Sequence, residues 1–447
     1  MPLLDIQNID SRNITIEVFG LGYIGLPLAV KLAAQRFNVV GIDKDKSKIQ
    51  RLDQKRLLDS EKFLEKDLEF FGKTIQFSSN ISNDDNQKIA IVCVPTPIPT
   101  KDIPSDIYVI DAVEWFLSHA KKGDMIIIES SVEVGTTENV KKVIESKGFK
   151  VGEDFGLAFC PERIDPKNKK WNLENIPRII YCSDNSTFEI CQKIYKYINN
   201  ANLTRVSSPK TAEVVKSFEN TFRLVNISLV NEIAILCDKL KIDVREVINA
   251  AATKPFGFMP FYPSAGAGGH CIPKDPRFLL ESGKKFGVKL ETLESALAKN
   301  IEIARYISNE IDSIIEKNNL PKSVIICGLA YKPDIEDMRD SAGFRILSNL
   351  IKKGVRVATF DPYYSEEHKE KYVIENKLDA ETSKFEVLDN ISRESIKEFG
   401  CLCIVQHHTK TKLNIQQILK DKSIPFIYDC QGKLDDTNSI ILKKFGS

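Results

Sequence analysis

At 447 residues, the chain is longer than a single hydrophobic core usually supports, so two or three domains are expected. Its 63 Lys and Arg residues almost balance its 62 Asp and Glu residues, and the formal net charge of +1 excludes a global field that attracts nucleic acid or an anionic membrane. The first residues show no basic segment followed by a long apolar run, and no uncharged apolar stretch of about 18 residues occurs. These features predict a cytoplasmic protein without a membrane segment, in which any phosphate binding is local.

Apolar segments in the first half of the chain alternate with stretches of helical spacing. Residues 14–19 predict a strand, residues 26–37 have the apolar spacing of a helix, and residues 38–43 predict a second strand. Further strands are predicted at 89–94, 125–130 and 179–183. This rhythm is typical of a parallel sheet with helices on both faces, so we predict a doubly wound domain over residues 1–207.

From about Ala212 to Ile311 the apolar residues follow a long helical periodicity. A loop rich in Gly and Pro between Lys254 and Pro276 interrupts it. The alternation of strand and helix resumes after Pro321, with strands predicted at 323–329, 355–361, 401–406 and 426–430. We therefore predict a helical region over 208–312 and a second sheet domain over 313–447. The predicted fold class is α/β, with two Rossmann-like doubly wound domains joined by a central helical region.

The ten cysteines are scattered through mostly apolar segments and form no CxxC pair, which indicates reduced core thiols rather than a disulfide framework. Cys401 and Cys403 alternate along a predicted strand, with His407 and His408 just beyond it. This grouping superficially suggests metal ligands, but a CLCIV strand fills a core without any metal. We therefore expect no metal site.

A glycine motif joins the first predicted strand to the first helix: Gly20-Leu21-Gly22-Tyr23-Ile24-Gly25. The first glycine permits a tight turn, the second lets the backbone approach a pyrophosphate, and the third allows close helix packing. Asp43 ends the next strand, where a carboxylate accepts hydrogen bonds from an adenosine ribose and repels a 2′-phosphate. The pattern predicts NAD rather than NADP, and the alternative is a plain glycine turn with a solvated aspartate.

Two further segments follow predicted strands at the edge where open parallel sheets bind ligands. They are Cys93-Val94-Pro95-Thr96-Pro97 and Glu129-Ser130-Ser131-Val132. As isolated patterns they are ordinary strand ends. Their position makes Pro95, Thr96 and Ser131 candidates for cofactor binding.

The most informative segment is the loop 266–276, GAGGHCIPKDP, which we call the cysteine loop. Several glycines beside one thiol predict an exposed backbone cradle around a nucleophile, Cys271, and the positive charge of Lys274 favours the reactive thiolate. A lone cysteine is otherwise more often structural. His270 is a possible base, but adjacent residues seldom face each other, and its alternative role is to shape the loop. Asp275 and Lys274 are better placed to position a water molecule or contact the cofactor.

These motifs, taken in order with Ser208-Pro209-Lys210-Thr211-Ala212-Glu213, resemble the UDP-glucose/GDP-mannose dehydrogenase family over nearly the whole chain. The segment GGHCIPKD is highly specific for that family. The resemblance implies an N-terminal NAD-binding domain, a central helical region that forms a homodimer, and a C-terminal domain that binds the nucleotide of a UDP-sugar substrate. It implies no nucleic-acid or membrane partner.

The resemblance also implies catalytic roles. Cys271 is the expected nucleophile, Lys216 and Asn220 are the pair that stabilises alkoxide and oxyanion, Asp275 helps to order water, and Glu162 lies near the thioester. Positions 216 and 220 are four apart on a predicted helix, so both side chains can point at one reacting carbon.

Further residues are expected to contact the ligands. The family's threonine after the strand 125–130 is Ser131 here, which keeps the hydroxyl. The motifs 328–333 (GLAYKP) and 337–341 (DMRDS) place Lys332 near substrate phosphates and Arg339 near the cofactor, although either cation could be a solvated surface charge. Lys274 is expected at the cofactor, and Gly268, Glu162, Lys216 and Asn220 at the substrate.

The implied chemistry is a four-electron oxidation of a primary alcohol at C6 with two NAD per turnover, through a thiohemiacetal and a thioester on Cys271. The stretch 252–263 (ATKPFGFMPFYP) looks like the subgroup that oxidises UDP-N-acetylglucosamine, which predicts a uronic acid donor for polysaccharide biosynthesis as product. UDP-N-acetylmannosamine, UDP-N-acetylgalactosamine and UDP-glucose are the alternatives, and the stretch could instead only pack at a dimer interface. Two rival interpretations are a two-electron dehydrogenase of the hydroxyacid or sugar-phosphate type, which needs no Cys271, and a nucleotide-sensing protein with a decayed catalytic loop.

Overall fold

The computed structural model describes residues 6–82, 84–97, 105–164, 168, 170–200, 202–269, 271–435 and 440–447. The chain forms two compact units. The first comprises residues up to 219 together with 277–288, and the second comprises 220–276 and 289–447. None of the helices in the described residues combines the length and apolar character that crossing a bilayer requires.

The first unit contains eight strands in the described residues. They are β1 Ile14–Phe19, β2 Asn38–Ile42, β3 Ile75–Ser78, β4 Gln87–Val92, β5 Met125–Ile128, β6 Gly156–Phe159, β7 Arg178–Cys182 and β8 Leu203–Arg205. The helices between them are α1 Ile6–Asp10, α2 Gly25–Ala34, α3 Lys46–Asp53, α4 Ile107–Leu117, α5 Thr136–Ser146 and α6 Asn185–Ile198, with a 3-10 helix at Asp59–Phe70. The order of strands across the sheet is β3-β2-β1-β4-β5-β6-β7-β8.

The predicted doubly wound sheet is confirmed, with one difference in direction. All neighbouring strands are parallel except β6 and β7, which pair antiparallel through Ala158 with Cys182 and Phe159 with Tyr181. The short strands β3, β6 and β8 have no counterpart in the sequence prediction because three or four residues are too few to establish a periodicity. Strand order reverses between β1 and β4, and in such sheets ligands bind at the carboxyl ends of the strands beside that reversal.

Both faces of this sheet are covered, which explains why its central strands are continuous apolar runs. In β4, Ile89 and Ile91 belong to one hydrophobic cluster, whereas Ala90 and Val92 belong to the cluster on the other face. β4 ends at Val92 and β5 at Ile128, so Cys93 and Glu129 are the first residues beyond their strands.

Two long helices replace the sheet in the middle of the chain, in agreement with the predicted helical region. They are α7 Pro209–Leu240, which passes from the first unit into the second, and α10 Glu291–Lys317. The short helices α8 Val244–Ala251 and α9 Asp275–Lys285 flank the segment that contains the cysteine loop. The cysteine loop therefore ends where α9 begins.

The second unit has a six-stranded sheet of order β11-β10-β9-β12-β13-β14, in which every described pairing is parallel. Its strands are β9 Ser323–Cys327, β10 Arg356–Phe360, β11 Glu386–Val387, β12 Cys401–Ile404, β13 Phe426–Asp429 and β14 Ile441–Lys444. Its helices are α11 Ala342–Ile351, α12 Lys369–Glu375, α13 Arg393–Ile396 and α14 Lys412–Asp421, with 3-10 helices at Glu366–His368 and Thr409–Thr411. The second predicted Rossmann-like domain is confirmed.

The four ligand-type side chains near β12 serve the fold in different ways. Cys401 and Cys403 are fully buried in one hydrophobic cluster, and Leu402 and Ile404 face the other. His407 lies 2.9 Å from Asp429 and His408 lies 3.0 Å from Asp361. In the parts of the chain that the structure describes, no group of three or more His, Cys, Asp or Glu side chains could hold a metal ion.

Candidate active site

The glycine loop leaves β1 in a conformation that glycine favours, with Gly20 at a φ of 90° and its N–H donating to the Ile42 carbonyl at 2.7 Å. A Cβ atom on Gly25 would lie 1.9 Å from the Gly20 carbonyl oxygen, whereas a Cβ on Gly22 would meet nothing within 4 Å. Gly20 and Gly25 are therefore required by packing, and Gly22 borders open space. Tyr23 is exposed and Ile24 is half-buried at the start of α2.

Asp43 lies at the end of β2, as predicted, and its carboxylate is held against the glycine loop. Its Oδ2 accepts hydrogen bonds from the Leu21 N–H at 2.9 Å and from Lys48 Nζ at 2.7 Å. A carboxylate fixed here, beside an open backbone at Gly22, fits a dinucleotide whose pyrophosphate follows the loop and whose ribose meets the acid. The loop thus has the features that NAD requires.

The segments after β4 and β5 join the glycine loop. Thr96 is buried and its Oγ1 donates to the Ser131 carbonyl at 2.6 Å, while Ser130 Oγ donates to the Val94 carbonyl at 2.7 Å. A Cβ on Gly20 would lie 2.9 Å from the carbonyl oxygen of Cys93, the residue that follows β4. The structure therefore brings the predicted cofactor segments together at one edge of the first sheet, with Pro95 exposed and Ser131 half-buried.

Glu213 fixes the turn that follows Ser131, a role that sequence reasoning did not assign. Its fully buried carboxylate accepts from the Gly135 N–H at 2.6 Å, the Thr137 N–H at 2.8 Å and the Thr137 hydroxyl at 2.6 Å. Burial raises the pKa of Glu213, and these three donors oppose that rise. A carboxylate at the first turn of α5 is also favourable for the helix dipole.

The cysteine loop is clamped to α10 by one buried amide. The Asn300 side chain accepts from the Ala267 N–H at 2.7 Å and donates to the Ala267 carbonyl at 2.9 Å. Gly266, at a φ of 111°, passes so close that a Cβ there would lie 2.9 Å from the Asn300 carbonyl oxygen. The glycines of the loop thus permit a backbone path that other residues would block.

The same loop packs against two motifs of the second sheet domain. A Cβ on Gly268 would lie 2.7 Å from the Asp340 carbonyl oxygen, and one on Gly269 would lie 2.8 Å from the Tyr331 ring. The Gly269 N–H donates to the Arg339 carbonyl at 2.9 Å. Gly268 is therefore placed beside the segments that contain Lys332 and Arg339.

Cys271 is exposed at the turn that leads into α9. Its carbonyl accepts the N–H groups of both Lys274 and Asp275, at 3.2 and 2.9 Å. The residue thus precedes an eleven-residue helix whose first N–H groups favour negative charge. Eight of the other nine cysteines are buried and Cys93 is half-buried, so the predicted nucleophile is the most accessible thiol. His270 lies outside the described residues.

Asn220 and Asp275 form a buried pair beside Cys271. Asn220 Nδ2 donates to Asp275 Oδ2 at 2.6 Å, and both residues are buried. Asp275 Oδ1 is also buried and has no hydrogen-bond partner among the described residues, the Lys274 ammonium lying 3.6 Å away. Lys216 is half-buried one helical turn before Asn220 on α7, as the spacing predicted.

Glu162 lies in the first unit, in a buried network that the sequence did not indicate. Its Oε1 accepts from the N–H groups of Arg163 and Ile164, at 2.6 and 2.7 Å, and its Oε2 pairs with Arg178. Arg178 also donates to Glu129 at 3.0 Å. The sequence contains one signal for this network, which is the charged Arg178 at the start of the apolar strand β7.

The motifs 328–333 and 337–341 enclose the end of β9. Asp361 accepts from the N–H groups of Leu329 and Ala330 at 2.8 and 3.0 Å, much as Asp43 accepts from Leu21 in the first unit. Arg339 makes a two-point ion pair with Asp337, at 2.9 and 2.6 Å, and Lys332 is half-buried. The second sheet domain therefore repeats the design of a backbone loop held by a carboxylate.

The glycine loop with its carboxylate and the exposed thiol before α9 define an NAD-dependent dehydrogenase that carries a candidate cysteine nucleophile. Models of the UDP-glucose/GDP-mannose dehydrogenase family match three parts of the chain: the NAD binding domain at 14–199, the central domain at 210–302 and the UDP binding domain at 325–436. The chain belongs to the UDP-glucose/GDP-mannose dehydrogenase family, and it is an NAD-dependent oxidoreductase of nucleotide sugars.

Similar proteins in this family act on different sugars. The chain is 33% identical to a UDP-N-acetyl-D-glucosamine 6-dehydrogenase of Salmonella typhi, covering 87% of this chain and 92% of that protein. It is 32% identical to a UDP-N-acetyl-D-mannosamine dehydrogenase of Methanococcus vannielii, covering 96% and 95%. The solved structure of a UDP-D-ManNAc dehydrogenase from Pyrococcus horikoshii matches with a TM-score of 0.83 at 27% identity, covering 97% and 99%.

The glycine loop gives a matched pair of substitutions. Gly22→Ala adds a methyl group into open space, so the thermal melting temperature should stay at the wild-type value while the Kd for NAD rises about tenfold or more, since the pyrophosphate needs that space. Gly25→Ala forces its Cβ against the Gly20 carbonyl and should lower the stability by about 2 kcal/mol. Thermal melting and calorimetric titration with NAD measure both. Wild-type affinity in Gly22→Ala would contradict the assigned path of the pyrophosphate.

Glu129 should make the stability depend on pH. Burial raises the pKa of Glu129 to about 7, the Arg178 charge opposes this rise, and the Glu162 charge adds to it. Between the ordinary pKa of 4.5 and about 7, the folded state binds this proton more tightly than the unfolded state, so the free energy of unfolding falls as the pH rises through that window.

Glu129→Gln removes this titration. Denaturation at pH 5, 6, 7 and 8 should show the wild type losing stability relative to Glu129→Gln, by on the order of 3 kcal/mol at most. A constant difference between the two proteins across this range would assign the titration to another group.

Proposed function

We propose that the protein oxidises the C6 alcohol of UDP-N-acetylglucosamine to the carboxylate of UDP-N-acetylglucosaminuronate, through covalent intermediates on Cys271. The observation that carries the proposal is the exposed Cys271 in the turn before α9, beside the buried pair of Asn220 and Asp275. A two-electron dehydrogenase needs no such thiol, and this is the reason for preferring the four-electron reaction.

Lys216 and Asn220 stabilise negative charge on the oxygen of the reacting carbon. The Lys216 ammonium favours the alkoxide form of the C6 alcohol, from which the first hydride leaves. Each bound NAD supplies an acceptor for one hydride, so one turnover uses two. The amide of Asn220, held by Asp275, has a fixed direction and can serve as a donor to an oxyanion without reorganising.

Cys271 captures the aldehyde that the first oxidation produces. Its thiolate forms a C–S bond with C6, which gives a thiohemiacetal, and departure of the second hydride from that carbon leaves a thioester. Water then adds to the thioester carbon, the C–S bond breaks, and the thiolate is regenerated as the acid leaves. The balance is one alcohol, two NAD⁺ and one water to one carboxylate, two NADH and three protons.

Asp275 and Glu162 have different capacities to act on that water. Asp275 Oδ1 is buried without a hydrogen-bond partner in the described chain, so it offers an acceptor to a water molecule beside Cys271. Both oxygens of Glu162 already accept hydrogen bonds from protein groups. We assign the orientation of water to Asp275, and to Glu162 a fixed negative charge at the substrate during hydrolysis.

The remaining candidate residues are assigned either to the cofactor or to the sugar nucleotide. The cofactor is assigned to the loop 20–25 with Asp43, to Pro95, Thr96 and Ser131, and to Lys274 and Arg339. The sugar nucleotide is assigned to Gly268 and Lys332, with Glu162, Lys216 and Asn220 at the reacting carbon. The domain limits of 1–207, 208–312 and 313–447 are proposed on the same basis, and each contains the matching family model.

The choice of N-acetylglucosamine is supported by two observations. The stretch 252–263 resembles that subgroup, and relatives named UDP-N-acetyl-D-glucosamine 6-dehydrogenase from two bacteria are 33% and 34% identical to the chain. Relatives named UDP-N-acetyl-D-mannosamine dehydrogenase reach 34% identity. UDP-N-acetylmannosamine is therefore the second candidate, and the products of both would be uronic acid donors for polysaccharide synthesis.

The measurement that tests this function is NADH formed per sugar consumed. Purified protein receives UDP-N-acetylglucosamine, UDP-N-acetylmannosamine, UDP-N-acetylgalactosamine or UDP-glucose, and we expect a ratio of two with the highest kcat/KM for the first. A ratio of two with another sugar would correct only the substrate. A ratio of one would refute the cysteine mechanism.

Cys271→Ser tests the covalent step directly. The hydroxyl cannot form the thioester that leads to the acid, so carboxylate production should fall by about three orders of magnitude or more. The matched control is Cys237→Ser, which replaces a buried thiol in another part of the second unit and should keep the ratio of two. Carboxylate production by Cys271→Ser at the wild-type rate would exclude the mechanism.

We propose a homodimer formed through α7. From Phe222 onward this helix has a stripe of exposed apolar side chains at helical spacing: Phe222, Leu229, Ile233, Leu236 and Leu240. Such a contiguous patch is unusual on a monomer and suits pairing with the same surface of a second copy.

Eight of the ten free thiols are buried, as in proteins of a reducing compartment, which supports a cytoplasmic location.

Leu236→Glu should convert the protein to a monomer in sedimentation velocity, because a carboxylate would be buried within the stripe. The matched control is Leu413→Glu, which changes a leucine of α14 that is 77% exposed and should keep the wild-type mass. A dimer in both variants would place the interface elsewhere.

A further inference from the structure

Arg178 lies at the centre of a buried network, and none of the proposed catalytic steps gives Arg178 itself a role. Its guanidinium spans two carboxylates, with Nη1 donating to Glu129 Oε1 at 3.0 Å and Nη2 paired with Glu162 Oε2. The Tyr195 hydroxyl donates to the same oxygen of Glu129 at 2.6 Å, and the Tyr195 ring lies 4.8 Å from the guanidinium carbon. All four residues are at most 4% exposed.

Burying the charges of this network costs free energy, which makes a purely structural role a poor explanation for it. One guanidinium faces two buried carboxylates, so the ionised network has a net negative charge in a medium that solvates it poorly. Glu129 Oε2 and Arg178 Nε are buried without hydrogen-bond partners in the described chain. In proteins generally, replacing buried ion pairs with apolar side chains of similar volume is often neutral or stabilising.

Glu162 is the member of this network to which the proposed function gives a role in the reaction. The backbone N–H groups of Arg163 and Ile164 hold Oε1, and Arg178 holds Oε2, so the plane of the carboxylate is fixed from both sides. Arg178 is in turn fixed by Glu129, and Glu129 by Tyr195. Each member orients the next, and the series ends at a residue assigned to thioester hydrolysis.

We propose that Arg178 is a positioning residue for hydrolysis of the thioester: held by Glu129 and Tyr195, it fixes the Glu162 carboxylate in the orientation that this last step requires. The proposal rests on the role of Glu162 in the proposed function. Loosening the network should therefore slow the release of acid more than it slows the two oxidations before it.

Arg178→Lys is the first test, because it keeps the charge but removes the second arm of the fork. After rapid mixing with NAD and UDP-N-acetylglucosamine, we expect a burst of about two NADH per active site and then a steady rate about tenfold below that of the wild type. Intact-mass measurement of acid-quenched enzyme should find the sugar acyl adduct on most molecules, whereas the wild type should carry less.

Tyr195→Phe is a milder second variant that keeps the ring over the guanidinium and removes only the hydroxyl. It should accumulate the same adduct with a smaller loss of steady rate, about threefold, even if Arg178→Lys fails to fold. The matched control is Tyr364→Phe, since the buried Tyr364 hydroxyl of the second unit has no partner among the described residues. That control should match the wild type in burst and adduct.

The outcomes separate this inference from the function on which it rests. If the wild type forms one NADH per sugar, the proposed function fails before any variant is compared. If the wild type forms two, and the folded variants turn over slowly without accumulating adduct or turn over at the wild-type rate, the positioning role of Arg178 is overturned and the function stands.

Discussion

The surroundings of Cys271 depend on a close approach of backbone segments that only glycine allows. Gly266 passes the carbonyl of Asn300, and Gly268 and Gly269 pass Asp340 and Tyr331, at distances that a side chain would occupy. Because these contacts hold the loop on both sides, Cys271 can be exposed without being loosely placed. The same constraint operates in the first unit, where Gly25 lies against Gly20 and draws the start of α2 onto β1.

Carboxylates hold in place several of the backbone segments that the glycines allow to approach each other. Asp43 and Asp361 each accept backbone N–H groups of the loop beside them, Glu213 accepts those at the start of α5, and Asp275 accepts the amide of Asn220. In each case a buried or partly buried carboxylate accepts hydrogen bonds from donors that have fixed positions, and at Asp275 this leaves Oδ1 without a partner among the described residues. A chain with a net charge of only +1 can therefore contain strong local electrostatic interactions, because each charge is balanced by groups close to it.

The sequence predicts features that local patterns encode and misses those that depend on distant partners. The longer strands and helices, the glycine turn with Asp43, and the spacing of Lys216 and Asn220 follow from periodicity and position. The short strands β3, β6 and β8, the antiparallel pairing of β6 with β7, and the contacts of Arg178 depend on residues far apart in the chain. The sequence marks Glu129 only as part of a strand end, because nothing near it reveals that an arginine 49 residues later faces it.

The groups assigned to the chemistry cannot by themselves choose among the sugars. In the proposed mechanism, Cys271, Lys216, Asn220 and Asp275 act on C6 and its oxygen, which all the candidate sugars share, and the similar proteins are named for both N-acetylglucosamine and N-acetylmannosamine. Discrimination must come from side chains that meet the ring substituents, where a lost hydrogen bond or an added clash changes transition-state binding. The stretch 252–263 is the segment on which the choice of sugar was proposed, and its Phe256 and Met259 side chains are strongly exposed. Exchanging residues there should change the sugar preferred while leaving two NADH per turnover, because the steps at C6 remain the same.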